Sequence, residues 1–235
     1  MASSNDIYLF ERSGTQKVMK MDGFSAGILD SFSPGSPNNY WISWDGTDIY
    51  ACISGSNKIV QYTGFSADIY ASFDTGSETK GLTIDKDGNV LAADVANKIL
   101  KKYNGFSGSV TSSFSYDGVF DEPNGISVDE NGNLLLIEEN PHKVRLTDGF
   151  SSEVDASFTN GSLSNGRGVS WDGTNAYSCD FSESKAYEYS GFSHFISATF
   201  SQNSIWSIEW GNYDNRTGQA VAAAAKTLMM MGAGQ

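Results

Sequence analysis

Five copies of Gly-Phe-Ser stand at Gly23, Gly64, Gly105, Gly149 and Gly191. By subtraction, the gaps between them are 41, 41, 44 and 42 residues. A second phenylalanine follows the first by eight positions each time: Phe24/Phe32, Phe65/Phe73, Phe106/Phe114, Phe150/Phe158 and Phe192/Phe200. A lysine precedes each copy by six or seven, at Lys17, Lys58, Lys98, Lys143 and Lys185. Self-similarity at a fixed period means that one small unit is built five times, because a single unit cannot bury its own apolar faces.

The stretch 125–158 shows what the unit is. Residues 125–129 read as a brief apolar strand ending in an acid. Asp129-Glu130-Asn131-Gly132-Asn133 reads as a tight turn, since Asn and Gly accept positive φ at little cost. Residues 134–138, 143–147 and 150–158 follow as three more strands. Four strands repeating at roughly 40–45 residues is the pattern of propeller blades. The expected fold class is all-β, a five-bladed β-propeller with four-stranded blades.

The repeat also sets the boundaries. Blades two to five span 41–73, 81–114, 125–158 and 168–200, while blade one, 6–32, lacks its inner strand. Residues 205–210 (IWSIEW) supply it, with Trp206-Ser207-Ile208-Glu209 aligned on Ile42-Ser43-Trp44-Asp45. The propeller then covers 6–210, closed by a C-terminal strand that removes an open, aggregation-prone seam.

The segments GISVDENGNLLL with HKVRL, and GLTIDKDGNVLAADVANKILKKY, resemble NHL-type β-propeller repeats. That resemblance covers 6–210 and implies fold more than function, because such folds host many activities. The GFSS and WDGTN phrases are similar to repeats in uncharacterised proteins of marine bacteriophages, which implies a virion component. Five-bladed sugar-binding propellers of the tachylectin kind share the size and blade count, without a motif match.

Composition excludes some partners. A net charge of −13 argues against a nucleic-acid backbone, which requires a basic face. Two cysteines, Cys52 and Cys179, are too few for a disulfide scaffold, and their blades are not neighbours, so no bridge is expected. The sequence shows no signal peptide and no apolar run long enough to span a membrane, leaving a virion or cytoplasmic location.

Features that recur in every blade belong to the scaffold. Acids end the first strands at Asp45, Asp85, Asp129, Asp172 and Glu209, as turn caps or partners for the blade's lysine. The Asp85 and Asp129 segments mimic the start of a calcium loop but lack the bidentate Glu at its twelfth position. Ser43, Thr83, Ser127, Ser170 and Ser207 form a ring of small side chains near the axis. The ten repeated phenylalanines are expected to plug neighbouring blades.

Function is sought where the repeat breaks. The loops 33–40, 74–80, 115–124, 159–167 and 201–204 differ in length and chemistry, and variable loops on a rigid scaffold commonly carry binding. Their last residues, Asn39 and Tyr40, Lys80, Asn124, Arg167 and Ser204, are expected to rim a central pit. Trp41 stands where three blades have Gly, Tyr116 and Phe120 sit in the longest loop, and Phe181 sits in a second-to-third loop. Such aromatics either cap the loops or form a shallow site for a sugar ring or peptide. Arg167 suits a carboxylate or a pair of sugar hydroxyls. The candidate ligand-binding set is Asn39, Tyr40, Trp41, Phe120, Asn124, Arg167 and Phe181.

No Ser/His/Asp or His-rich metal set can be assembled around His142 and His194, so no catalytic residue, metal site or cofactor is assigned. The alternatives are a purely structural decoration or assembly protein without ligand and, second, a gluconolactonase-like metal-dependent hydrolase, for which Glu11, Asn124 and Asp172 could be recruited without its motif spacing. Residues 219–231 (QAVAAAAKTLMMM) are strong helix formers. The segment 216–235 is read as a docking tail in which Leu228, Met229, Met230 and Met231 contact a protein partner or another copy of the chain.

Overall fold

The computed structural model describes residues 6–12, 16–35, 40–53, 55–140, 142–159, 161, 163–210, 213–214 and 219–220. In chain order the strands are β1 Ile7–Glu11, β2 Lys17–Met21, β3 Ile28–Phe32, β4 Tyr40–Trp44, β5 Ile49–Ile53, β6 Lys58–Tyr62 and β7 Ile69–Asp74. There follow β8 Thr79–Ile84, β9 Val90–Asp94, β10 Ile99–Tyr103, β11 Val110–Ser115, β12 Pro123–Val128, β13 Leu134–Glu138, β14 Lys143–Thr147 and β15 Val154–Thr159. The remainder are β16 Gly166–Trp171, β17 Ala176–Asp180, β18 Lys185–Tyr189, β19 Ile196–Ser201, β20 Ile205–Trp210, β21 Tyr213–Asp214 and β22 Gln219–Ala220.

Twenty of these strands form five four-stranded antiparallel sheets, the blades of a five-bladed β-propeller. Blade one has the order β20-β1-β2-β3, so the C-terminal strand completes three N-terminal ones. The middle strands are apolar on both faces because each blade is sandwiched between two others. β13 (LLLIE) and β9 (VLAAD) are buried at every position. The outermost strands lose that cover, and β7 and β11 are mostly exposed.

The Gly-Phe-Ser repeat has a local cause and a long-range one. Each of its glycines has φ between 56° and 66°, a region that costs Gly nothing. In four blades its N–H donates to the residue closing the first hairpin: Gly64 to Asp48, Gly105 to Asn89, Gly149 to Asn133 and Gly191 to Asn175. The serine hydroxyl accepts from the N–H two residues on and donates to the carbonyl three residues back, as Ser66 does with Asp68 and Thr63. The phenylalanines then join blades. The second Phe of each blade meets the first Phe of the next edge-on, with centroids 4.8–5.0 Å apart in Phe32–Phe65, Phe73–Phe106, Phe114–Phe150, Phe158–Phe192 and Phe200–Phe24. The last pair closes the ring. Edge-to-face pairs contribute about 0.5–1.5 kcal/mol each beyond area burial.

Two expectations are corrected. First, the closing strand sits two residues away from the sequence alignment. Ile208 pairs with Leu9 as Ile42 pairs with Ala51 and Leu82 with Ala92. Glu209 therefore occupies the position of Ser43, Thr83, Ser127 and Ser170, and is not a fifth turn acid. Ser207 corresponds to Trp41, and Trp206 to Tyr40. The acid suggests one frame, whereas the register follows the apolar residues that face the neighbouring blades. Second, Gln219 and Ala220 do not begin a helix; they pair with Asp214 and Tyr213. Leu228, Met229, Met230 and Met231 lie outside the described residues.

The four remaining first-strand acids are turn caps. Asp85 Oδ1 accepts N–H bonds from Asp87 and Asn89, and Asp129 Oδ1 from Asn131 and Asn133, all within 3.0 Å. Asp45 and Asp172 do the same for Thr47 and Asp48, and for Thr174 and Asn175. Asp85 also pairs with Lys102 at 2.7 Å. Cys52 and Cys179 are buried free thiols.

Candidate functional site

The inner strands run from the variable loops to the hairpin turns, so their first residues surround the axis on the loop face. At one equivalent position stand Tyr40, Lys80, Asn124, Arg167 and Trp206. The residues just after the second strands form a wider ring, described at Arg12, Val95, Glu139 and Phe181. Ser54 and Asn39 lie outside the described residues, and of Tyr40 only the backbone is described.

The two rings interlock across blade boundaries. Glu139 accepts from Asn124 Nδ2 of its own blade at 3.0 Å, and from Arg167 of the next blade through both terminal nitrogens at 3.1 and 2.9 Å. Phe181 packs edge-on against Trp206 of the next blade, with centroids 5.0 Å apart. Arg12 lies over both rings, its guanidinium carbon 4.4 Å from the Trp206 centroid and 5.3 Å from that of Phe181. Arg167 lies over Trp206 too, at 4.5 Å. Lys80 is paired with Glu122.

Burial and charge set the state of these groups. Asn124 is 0% exposed, Trp206 4% and Arg167 9%, while Arg12, Glu139 and Phe181 are half-buried. Burial acts to raise the Glu139 carboxyl, but the bonds from Asn124 and Arg167 and the charges of Arg167 and Lys80 outweigh it and hold it below the ordinary glutamate range. Three buried polar atoms of the cluster have no hydrogen-bond partner among the described residues: Asn124 Oδ1, Arg167 Nε and Trp206 Nε1.

The structure thus brings Asn124, Arg167 and Phe181 together at the mouth, with Trp41 beneath them. Trp41 is 1% exposed, donates from Nε1 to the Arg167 carbonyl at 3.3 Å and packs edge-on against Trp206. It is a plug, not an open platform. Phe120 is 6% exposed, stacks on Tyr116 and lies 5.8 Å from the Arg145 guanidinium, so it belongs to the interior of its loop. Below the plug the axial channel narrows to a cavity of about 10 Å³ lined by Trp41, Gly81, Gly125, Gly168 and their neighbours. That is the space of one water at most. Any ligand of this face therefore sits on the mouth and not in the channel.

Three members of the cluster escaped sequence reasoning. Trp206 was hidden by the two-residue alignment shift, which had put Ser204 on the rim. Arg12 and Glu139 stand, like Phe181, just after second strands, but a charged residue in a short loop reads as solvated surface. The signal available was that these two and Phe181 are bulky or charged where Val95 stands in blade three. The hydrolase set does not assemble: Asn124 is at the loop face, whereas Asp172 caps a hairpin turn at the opposite end and bonds Tyr177 at 2.7 Å. Among the described residues no group of three or more His, Cys, Asp or Glu side chains is placed to hold a metal ion.

No family model and no curated protein matches the sequence. Solved structures do match. A chain of a nidogen/laminin complex aligns with a TM-score of 0.60 at 16% identity, over 89% of this chain and 82% of that one. What is shared is the propeller fold. A glutaminyl cyclase from Myxococcus xanthus aligns with a TM-score of 0.55 at 11% identity, over 86% of this chain and 73% of that one. A catalytically inactive virginiamycin B lyase from Staphylococcus aureus with quinupristin gives 0.51 at 16% identity, over 86% and 68%. These similar folds include two enzymes and a chain from a binding complex, so fold alone does not separate those classes.

Proposed function

We propose that this protein is a non-enzymatic binding propeller whose ligand rests on the mouth of the loop face. The observation that carries the reading is the cluster of Arg12, Asn124, Glu139, Arg167, Phe181 and Trp206. It draws on blades one, four and five, it breaks the five-fold repeat, and it holds three buried polar atoms without partners among the described residues. The ligand is a glycan, a peptide or a segment of a protein partner. The module belongs to a larger assembly, a virion or another surface structure, with 216–235 as its attachment. The similarity of the repeat phrases to marine bacteriophage proteins supports that part. The segment's run of Leu228 and three methionines supports the attachment.

The test is a combined glycan and peptide array probed with the wild-type protein, Arg12→Gln and Asn124→Ala, with Lys86→Gln on the opposite face as control. Binders lost in the first two variants and kept in the control support the reading. Binders kept in all of them, or an array with no binder, count against it.

A further inference from the structure

We propose that the mouth is a site for a carboxylated sugar, its carboxylate held between Arg12 and the donors of Arg167 and Trp206. This rests on the loop-face reading and names the ligand class. Of the three arginines among the described residues, Arg145 is paired with Glu138 through Nε at 2.6 Å and Nη2 at 3.2 Å, and Arg167 with Glu139 through both terminal nitrogens. Arg12 has no carboxylate partner among the described residues. Its backbone N–H is tied to the Ser204 carbonyl at 3.0 Å, and its guanidinium is fixed over Trp206 and Phe181.

Two guanidiniums therefore share one indole, and the carboxylate among them, Glu139, is held by Arg167. Glu11, next in the chain to Arg12, faces Lys17 across β1 and β2. Glu183 is taken by Lys185 at 3.2 Å. Asp180, buried beside Phe181, is taken up by the backbone N–H groups of Ser164, Asn165 and Glu183, so Arg12 is the one guanidinium of the cluster without a carboxylate of its own among the described residues, in a partly desolvated place, where an anion binds best.

The unmet atoms refine the class. Arg167 Nε and Trp206 Nε1 are donors only, and both are buried. With Arg12 they are three groups that only donate, which a carboxylate satisfies and a neutral amide satisfies by half. On the other side of Glu139, Asn124 Oδ1 is an unmet acceptor. A carboxylate flanked by hydroxyls answers both sides, as in a uronic acid. The indole face already carries two guanidiniums, which leaves little aromatic surface for a peptide side chain. The protein's net charge of −13 repels polyanions, so a single carboxylate on an otherwise neutral sugar is the form that reaches the site.

The experiment is a calorimetric titration of the full chain with glucuronate, its methyl ester, glucose and N-acetylphenylalaninate at millimolar concentration. Glucuronate is expected to bind saturably, and the ester and glucose at least tenfold more weakly. Arg12→Gln, which breaks no ion pair, is expected to cost glucuronate tenfold or more, with Arg12→Lys intermediate. Equal binding of glucuronate and glucose, unchanged binding by Arg12→Gln, or binding of N-acetylphenylalaninate in place of glucuronate would overturn the proposal. If no carboxylate binds while array binders still depend on Arg12, the carboxylate class falls and the loop-face reading stands.

Discussion

Glu209 and Ser43 occupy the same position in neighbouring blades, and the Ser43 hydroxyl donates to the Glu209 carboxyl across the blade boundary at 3.5 Å. Four blades place a hydroxyl in this axial layer; the closing blade places an acid. Glu209 is 3% exposed and its Oε2 has no partner. Burial pushes its carboxyl well above the ordinary glutamate range, and the Trp44 backbone and the Ser43 and Ser170 hydroxyls only partly offset that. The ring is thus sealed by a strand carrying a carboxyl whose burial favours its neutral form.

A pH dependence follows. The folded group titrates above the unfolded one, whose pKa is about 4.3. Below that value both states are protonated and the full stability is present. As pH rises, the unfolded chain ionises first, and stability falls by up to about 1.4 kcal/mol per pH unit until the folded group also ionises. Glu209→Gln removes this slope. Chemical denaturation at a series of pH values is expected to show the variant equal to wild type near pH 4 and more stable at pH 8. Parallel profiles would contradict the assignment.

Closure itself is tested by truncation. β20 pairs with β1 along its length, and the backbone N–H groups of Ile42 and Trp210 donate across blade boundaries to Ser207 and Ser170. A chain ending at Gln202 loses all of this and should show no cooperative melt. A chain ending at Asn215 keeps every blade strand and should melt as the full chain does, while losing assembly if 216–235 is the attachment. A cooperative, unshifted melt for the shorter chain would contradict the closure.

Gly168 marks how tightly the inner strands approach. A Cβ there would stand 2.7 Å from the Ile208 nitrogen and 3.0 Å from the Ser207 Cα, both backbone atoms of the closing strand that cannot swing aside. Gly168→Ala should cost at least about 1–3 kcal/mol by overpacking. At Gly108 the nearest atom would be 3.8 Å away, and Gly108→Ala should change stability by no more than about 0.5 kcal/mol. Equal denaturation midpoints for the two would refute this packing.

The sequence made the blades legible because each repeated residue answers one local need: Gly for positive φ, Ser for its turn, Phe for the next blade, Asp for the hairpin cap. The closing strand was harder to read. Its one acid resembles the turn acids, and only cross-strand pairing shows that Ile208, not Glu209, fixes the register. Asn124 and Arg167 were legible as rim residues because they break a repeat. Trp41 and Phe120 break it too, but whether an aromatic caps or displays depends on contacts from other blades, which one chain segment does not encode. That Arg12 has no carboxylate of its own among the described residues emerges only when its neighbours from two other blade edges are in place.

The five tryptophans give the most direct test of a ligand on the loop face. Trp41 and Trp206 stand at the loop end of their strands; Trp44, Trp171 and Trp210 stand at the turn end. Indole N–H resonances of ¹⁵N-labelled protein, assigned by single Trp→Phe variants, are followed while the strongest array binder is added. The Trp206 resonance is expected to move most, because its ring lies in the mouth cluster against Arg12, Arg167 and Phe181, and Trp44, Trp171 and Trp210 are expected to stay in place. Movement confined to those three, with Trp206 unchanged at saturation, would contradict a ligand on the loop face.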